Sequence, residues 1–301
     1  MKNLVGERAT LAAFLMTIFL AGFNGLGVRL TVEELPPFWG AVLRFVPAFL
    51  ILAGIAAIKR LPLPSGRNLL GAVLYGVLNF GANYSFLYWG LQKVQAGTAG
   101  IFLALVPLFT LIFAVAQRLE PFRLRALFGS LLSLAGIAVI YGAKGPANAP
   151  LAALLAITLG SVCFAEAGLL IKRFPGSHPV TTNMIGMAVG SVILFLMSML
   201  FHEPHPVPVK ATTWGALIYL ILFGSCAIFI LTVYVLNRWP ASTVSYSFVI
   251  FPFIGIAASA WLDHEKFTPW VFVGAVLVVA GVYFGSLRAS QKRAVEGSPA
   301  D

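Results

Sequence analysis

The third long apolar run of this 301-residue sequence carries three polar residues at a helical spacing. Tyr75, Asn79 and Asn83 recur at i, i+4 and i+8, so on a helix they share one face. An amide offers both donors and an acceptor, which suits the amino or carboxylate group of a zwitterion. Asn79 lies near the centre of the run and is the first candidate for contact with a ligand. The alternative is that the two asparagines hold neighbouring helices together through hydrogen bonds.

Two charged residues lie deep inside other apolar runs, Arg44 in LRF and Glu166 in CFAEAG. Their depths differ by on the order of 13 Å along the membrane normal, so we predict separate roles rather than an ion pair. Arg44 either binds a ligand carboxylate, or extends to the headgroups or to backbone carbonyls.

Glu166 is a candidate for proton transfer, because burial raises the pKa of a carboxyl group toward neutrality and allows uptake and release of a proton. The alternative is a neutral, hydrogen-bonded carboxyl with a structural role. Asn24 in the first apolar run lies at mirrored depth to Glu166 and is a further candidate for ligand contact.

Other polar and aromatic residues at membrane depth complete the list of candidates for lining a site: Ser225, Tyr246 and Phe102. Pro107 and Pro252 interrupt the fourth and ninth apolar runs at matching places, as a gating hinge or a simple kink would.

The sequence HEPHP at 202–206 contains two histidines and a glutamate, but it has two prolines and no third ligand at helical spacing. We expect a solvated loop there and no metal site. Because no phosphate-binding glycine loop, nucleotide fingerprint or nucleophile motif is present, the sequence predicts neither a cofactor nor an enzyme.

Membrane-spanning helices must position these residues, since 59% of the chain is hydrophobic and only 10% is charged, against about a quarter in soluble domains. A span needs roughly 20 mostly apolar residues. Ten such runs are present: Thr10 to Val28, Phe38 to Ile58, Leu69 to Leu91, Ala96 to Gln117, Leu124 to Gly142, Leu151 to Ile171, Thr181 to Phe201, Trp214 to Leu236, Ala241 to Leu262 and Pro269 to Leu287.

The basic residues lie between the apolar runs, so the net charge of +10 does not indicate nucleic acid binding. Of the 20 Lys and Arg residues, 14 fall in the N-terminus, every second loop and the C-terminus. By the positive-inside rule, both termini are predicted to be cytoplasmic.

The two halves of the chain are related by a repeat at a constant offset of 145 residues. This offset aligns Pro107 with Pro252, Glu120 with Glu265, Gly129 with Gly274 and Gly136 with Gly281 without a gap. Five spans is an odd number, so the second copy must cross the membrane in the opposite sense to the first. Inverted-topology repeats of this kind are common in secondary transporters.

The order PPFWGAVLRF, LQKVQAGTAGIFLALVP, a Glu after the fourth run and GSLLSLAGIAVI, with a weaker second copy, resembles the drug/metabolite transporter superfamily and its EamA-type permeases. This resemblance covers nearly the whole chain. It implies an all-α integral membrane fold of ten helices, with repeats at 1–145 and 146–290 and a cytoplasmic tail at 291–301.

The resemblance further implies a multi-pass protein of the bacterial inner membrane that exports amino acids or related small metabolites. Alternating access, with proton coupling as one option, would be the mechanism. An exchanger of anionic metabolites is the alternative within transport, and a membrane enzyme or scaffold is the alternative from another class. The expected partners are a small-molecule substrate and the lipid bilayer, with a monomer as the working assignment.

Overall fold

A computed structural model of the protein describes residues 2–93, 102–142, 150–175, 178–251, 253–254 and 269–284. All regular elements in these ranges are helices, as expected for an apolar chain whose backbone groups must be satisfied within each membrane-spanning segment. The helices are α1 (Lys2–Val32), α2 (Pro37–Ile58), α3 (Gly66–Tyr75), α4 (Asn83–Leu91), α5 (Val106–Ala116), α6 (Leu124–Gly142), α7 (Leu151–Arg173), α8 (Pro179–Leu200), α9 (Ala211–Ile221), α10 (Ile228–Leu236), α11 (Ala241–Ser245) and α12 (Pro269–Val282).

Five segments of the described chain are long and apolar enough to cross a membrane: Gly6–Val32, Pro37–Ile58, Leu151–Arg173, Pro179–Leu200 and Ala211–Leu236. They coincide with the first, second, sixth, seventh and eighth predicted spans. Shorter apolar helices occupy parts of the fourth, fifth and ninth predicted spans, at Val106–Ala116, Leu124–Val139 and Ala241–Phe251.

Two helical spans contain a π-helical turn at matching positions. Gly76–Ala82 joins α3 to α4, and Leu222–Ala227 joins α9 to α10. The offset of 145 residues carries 76–82 onto 221–227, so the two turns occupy equivalent places in the sequence repeat. Because π turns disturb the regular helical hydrogen bonds and occur frequently at functional sites, these two spans are candidates to carry a ligand site.

Helices α6 and α12 pack against each other through pairs of equivalent glycines. A side-chain Cβ at Gly136 would lie 2.7 Å from the Gly274 carbonyl oxygen, and one at Gly281 would lie 2.6 Å from the Gly129 carbonyl oxygen. Residue numbers rise along one helix as they fall along the other, so the two helices are antiparallel. The offset of 145 residues maps Gly136 onto Gly281 and Gly129 onto Gly274. Each of the two contacts therefore maps onto the other.

The same offset relates other helix pairs. Helix α2 packs on its own repeat counterpart, α8. The packing of α4 on α7 corresponds to the packing of α10 on α1, which also contacts α9. Aromatic side chains fill the centre of the largest buried cluster, where the ring of Phe80 lies 4.7 Å from that of Phe229 and 5.2 Å from that of Phe45, both edge-on. Such edge-to-face contacts stabilise the core beyond what the burial of apolar area contributes.

The loop at 202–206 is largely exposed, as predicted for a solvated loop, but Glu203 is only partly so. The Glu203 carboxylate is half-buried and accepts hydrogen bonds from the N–H groups of Phe38 (3.2 Å) and Trp39 (2.8 Å) and from the Ser198 hydroxyl (2.9 Å). Carboxylates stabilise helix N-termini, where the first N–H groups lack helical acceptors, and α2 begins at Pro37. The sequence alone did not show this contact, because its partners lie about 165 residues away along the chain.

Glu34, in the α1–α2 connection, contacts the same loop before α9. Its carboxylate accepts hydrogen bonds from the N–H groups of Val209 and Lys210. The Thr213 hydroxyl beside the carboxylate and these N–H groups lower the pKa of Glu34 from its ordinary value of 4.5. The loop before α9 is therefore held to both ends of the α1–α2 connection.

Glu120 forms a comparable cap elsewhere in the bundle. It follows α5, and its carboxylate accepts hydrogen bonds from the Ser242 N–H group and from the Ser242 hydroxyl at the start of α11. This contact joins the two halves of the chain, since α5 lies in the fourth predicted span and α11 lies in its repeat counterpart, the ninth. The counterpart Glu265 lies outside the described residues.

Candidate functional site

The predicted polar stripe forms part of a buried hydrogen-bond network. The Asn79 amide donates to the Tyr75 hydroxyl (3.2 Å), which donates to Asn183 Oδ1 (3.2 Å) on α8. The Asn183 amide in turn donates to the carbonyls of Pro179 and Phe229, each at 2.9 Å. The network thus connects the α3–α4 span to α8 and α10, which is the geometry of an interhelical contact.

Asn83 belongs to the same stripe but makes a different contact. Its amide donates to the Asn79 backbone carbonyl at 3.2 Å, inside the π turn where helical bonding is disturbed. Its side-chain oxygen faces Gly160 of α7. The structure therefore brings Tyr75 and Asn79 together and places Asn83 toward another helix, and a ligand-binding role for all three stays a prediction.

Arg44 is 2% exposed, so its guanidinium is buried within the bundle. Its Nε donates to the Ser225 hydroxyl and its Nη2 donates to the Gly224 carbonyl, both at 2.7 Å. The guanidinium also lies 4.9 Å from the Phe45 ring centre and 5.6 Å from that of Tyr84. We predicted that Arg44 either binds a ligand carboxylate or extends to headgroups or backbone carbonyls. Its described contacts include a backbone carbonyl, that of Gly224, in the π turn of the α9–α10 span.

Asn24 lies beside this cation. A side-chain Cβ at Gly224 would collide with Asn24 Oδ1 and would lie 3.3 Å from Arg44 Nη2, so both groups face the bare Cα of Gly224. Asn24 Oδ1 is buried and accepts no hydrogen bond from the described residues. Because an unpaired buried carbonyl is costly, this atom is a candidate acceptor for a ligand.

Glu166 has a hydrogen-bond partner of its own, Gln117. The Gln117 amide at the end of α5 donates to Glu166 Oε2 at 2.6 Å, and the Gln117 carbonyl oxygen is buried without a donor from the described residues. Glu166 is half-buried on α7. A neutral amide can donate to a carboxylate and, after turning over, accept from a carboxylic acid, so this partner suits either protonation state.

The remaining candidates are distributed over the bundle. Ser225 is the hydrogen-bond partner of Arg44, whereas the Tyr246 hydroxyl contacts the Ser130 hydroxyl and donates to the Ala126 carbonyl of α6. Phe102 packs near α7, where its carbonyl accepts from the Ser161 hydroxyl. Ser225 and Tyr246 therefore have hydrogen-bond partners on different helices.

Pro107, one of the two predicted hinge prolines, lies at the start of a helix. Pro107 lies in the first turn of α5, immediately after a turn at 104–105, where proline is tolerated because its missing N–H has no helical partner. Pro252 lies outside the described residues. A hinge role for both stays a prediction.

Sequence reasoning missed Asn183 and Gln117, which complete two of these polar groups. Both were visible as polar residues at the ends of predicted spans, but each acquires its role from a partner on another helix. A search for amides at the ends of apolar runs would have listed them, without identifying Tyr75 or Glu166 as the partner.

Three comparisons with known proteins agree with this architecture. The model of the EamA-like transporter family matches the chain twice, at residues 8–142 and 151–287. An uncharacterized inner membrane transporter, YedA of Escherichia coli (strain K12), is 30% identical over 267 residues, which are 85% of this chain and 86% of that protein.

Two relatives carry more specific names. A "probable terminal-alkyne amino-acid exporter" of Streptantibioticus cattleyicolor is 30% identical and covers 92% of this chain and 90% of its own length. A "probable amino-acid metabolite efflux pump" of Escherichia coli (strain K12) is 23% identical and covers 94% and 96%.

A solved crystal structure that is 19% identical superposes with a TM-score of 0.79 over 95% of this chain and 99% of its own length, which establishes a shared fold. The double match of the family model covers both halves of the sequence repeat. The chain therefore belongs to the EamA-like transporter family.

Proposed function

We propose that this protein is a secondary transporter of a bacterial inner membrane that exports amino acids or related small metabolites by alternating access. The names of the two amino-acid exporting relatives and of the inner membrane transporter support this substrate class and location. No nucleotide-binding motif was found in the sequence, so ion gradients or exchange are the proposed sources of energy.

The observation that carries the proposed mechanism is the reciprocal glycine packing of α6 and α12. Antiparallel helices whose contacts interchange at the repeat offset are what a two-fold axis in the membrane plane produces. This supports ten helices in two inverted five-helix repeats, at 1–145 and 146–290. In transporters built this way, one repeat moves against the other around a site near the bilayer midplane.

Both termini are proposed to be cytoplasmic, on the distribution of basic residues between the loops. With this orientation the Glu203 and Glu34 contacts lie on the outer side, and the Glu120 contact lies on the inner side. Each joins elements from different halves of the chain. They are therefore placed where a transporter must close one entrance while it opens the other.

Glu166 is the proposed proton-coupling residue. Its half-buried carboxylate has a neutral partner in Gln117 rather than a cation, so protonation would not break an ion pair among the described residues. The structural alternative is that Glu166 and Gln117 only hold α7 to α5. Exchange of anionic metabolites is the second candidate function, and the buried cation of Arg44 favours it.

The experiment is efflux from proteoliposomes loaded with a mixture of labelled amino acids, with or without a more acidic external buffer. Wild type is compared with Glu166→Gln and with Glu7→Gln, which alters an exposed carboxylate on α1. Protein-free vesicles measure leakage. We expect saturable efflux from wild type and Glu7→Gln that the proton gradient accelerates, and no acceleration in Glu166→Gln.

Two results would contradict parts of this proposal. Absence of flux for every amino acid, combined with exchange of labelled carboxylates, would favour the anion exchanger. Gradient-driven efflux that persists in Glu166→Gln would leave transport in place and assign Glu166 a structural role.

A further inference from the structure

We infer that Arg44, Asn24 and the bare face of Gly224 form the binding site for the head group of an α-amino acid. Arg44 would take the carboxylate and Asn24 Oδ1 the ammonium group. This inference rests on the proposed function and names the chemical groups that its substrate must carry.

Arg44 offers a charge that the described residues do not neutralise. Its partners are the Ser225 hydroxyl, the Gly224 carbonyl, the rings of Phe45 and Tyr84 and the nearby Tyr88 hydroxyl, and none is a carboxylate. A cation buried in a membrane protein is costly unless it is paired, and such residues commonly mark substrate pathways. A planar guanidinium binds a carboxylate through two parallel hydrogen bonds.

Asn24 offers the complementary acceptor. Its Oδ1 is buried, lacks a donor from the described residues, and faces the same glycine as Arg44 Nη2. An ammonium group supplies three donors and would satisfy this oxygen. A guanidinium and a free carbonyl oxygen that approach the same face of one glycine match the carboxylate and ammonium groups that share one carbon in an α-amino acid.

Gly224 makes the approach of the two groups possible. It belongs to the π turn Leu222–Ala227, and any side chain at this position would collide with Asn24. A substrate carboxylate would replace the neutral Gly224 and Ser225 acceptors on Arg44, because a charged acceptor forms the stronger hydrogen bond with a guanidinium. Binding would thereby release the π turn from α2.

The stripe on the α3–α4 span is the competing location, and its contacts are less suitable. The Asn79 amide donates to Tyr75, and Tyr75 donates to Asn183, whose own amide donates to two backbone carbonyls. These groups already satisfy one another, and the stripe contains no cation. A zwitterion there would have to break an existing network without gaining a charged partner.

The test measures binding by thermal stabilisation of the purified full-length protein in detergent. The probes are a pool of common L-amino acids, the matched pool of their amides, and the matched pool of carboxylic acids that lack the amino group. The variants are Arg44→Lys and Asn24→Leu, and the control is Ser191→Ala, which removes a buried hydroxyl on α8 that has no described partner.

We expect wild type and Ser191→Ala to bind amino acids at least about tenfold more tightly than amides or deaminated acids, the factor expected for losing one charge-assisted hydrogen bond. Asn24→Leu should lose discrimination against deaminated acids, and Arg44→Lys should bind amino acids at least about tenfold more weakly. If either variant fails to fold, the wild-type probe series still decides between these outcomes.

Equal binding of amides and amino acids by wild type, or absence of amino-acid binding, would overturn the inference. So would unchanged discrimination in Asn24→Leu. If vesicles transport other metabolites while amino acids do not bind, the proposed transport stands and this head-group site falls. If no flux of any kind is measured, the proposed function itself fails.

Discussion

Replacing Glu203 with glutamine should weaken the contact between α2 and the loop that follows α8. The carboxylate accepts three hydrogen bonds, from two N–H groups at the start of α2 and from Ser198. Glutamine retains only one acceptor oxygen and removes the negative charge beside the helix N-terminus. Losing a cap costs about 1 kcal/mol and losing the helix-dipole interaction up to about 1 kcal/mol more, so we expect destabilisation by about 1 to 2 kcal/mol.

The two cysteines of the chain provide the assay. Cys226 is buried and Cys163 is half-buried, so a thiol-reactive fluorophore reports unfolding as the detergent-solubilised protein is heated. Glu33→Gln is the matched control, since Glu33 is an exposed carboxylate in the same loop as Glu34. Glu203→Gln should unfold at a temperature several degrees lower than the control. Equal unfolding temperatures for the two variants would refute the assignment of Glu203 as the cap of α2.

Three further changes test other parts of the bundle by the same unfolding assay. Gly281→Ala should cost about 1 to 3 kcal/mol because the new methyl group meets the backbone of α6, whereas Gly25→Ala, with open space beside it, should not destabilise; equal effects would contradict the packing. Asn183→Leu should cost about 2 kcal/mol by leaving its buried partners unpaired, and Thr182→Ala, which removes an unpaired hydroxyl, should cost far less. Glu34 has a lowered pKa, so its charge stabilises the fold above pH 4.5, and this contribution disappears as the pH falls through the lowered pKa. The difference in unfolding temperature between wild type and Glu34→Gln should therefore be constant near neutrality and shrink in acid. A difference that is independent of pH would argue against the contact.

Much of the helical framework could be predicted because lipid imposes a simple rule on sequence. A span must be long, apolar and internally hydrogen-bonded, so composition alone located Pro37–Ile58 and Leu151–Arg173 within one or two residues of their bounds. The family assignment was also predictable, since the motif order and the repeat are properties of the sequence itself.

The polar contacts were harder to predict because they depend on partners far away along the chain. Helical spacing correctly placed Tyr75 and Asn79 within reach of each other, four residues apart. It could not show that Asn183, more than 100 residues later, would join them. The π turn inside this stripe is also a local departure from the regular helix on which the spacing argument relied.

Buried Arg44 and half-buried Glu166 have separate, neutral hydrogen-bond partners, and this separation constrains the proposed cycle. Arg44 contacts the π turn of the α9–α10 span, whereas Glu166 contacts Gln117 at the end of α5. A substrate carboxylate on Arg44 therefore does not compete with a proton for the same group. Under the proposals above, substrate and proton would influence each other only through movement of the helices that carry them. The π turn that Arg44 holds, and the α5–α7 contact that Glu166 holds, are the elements through which that coupling would pass.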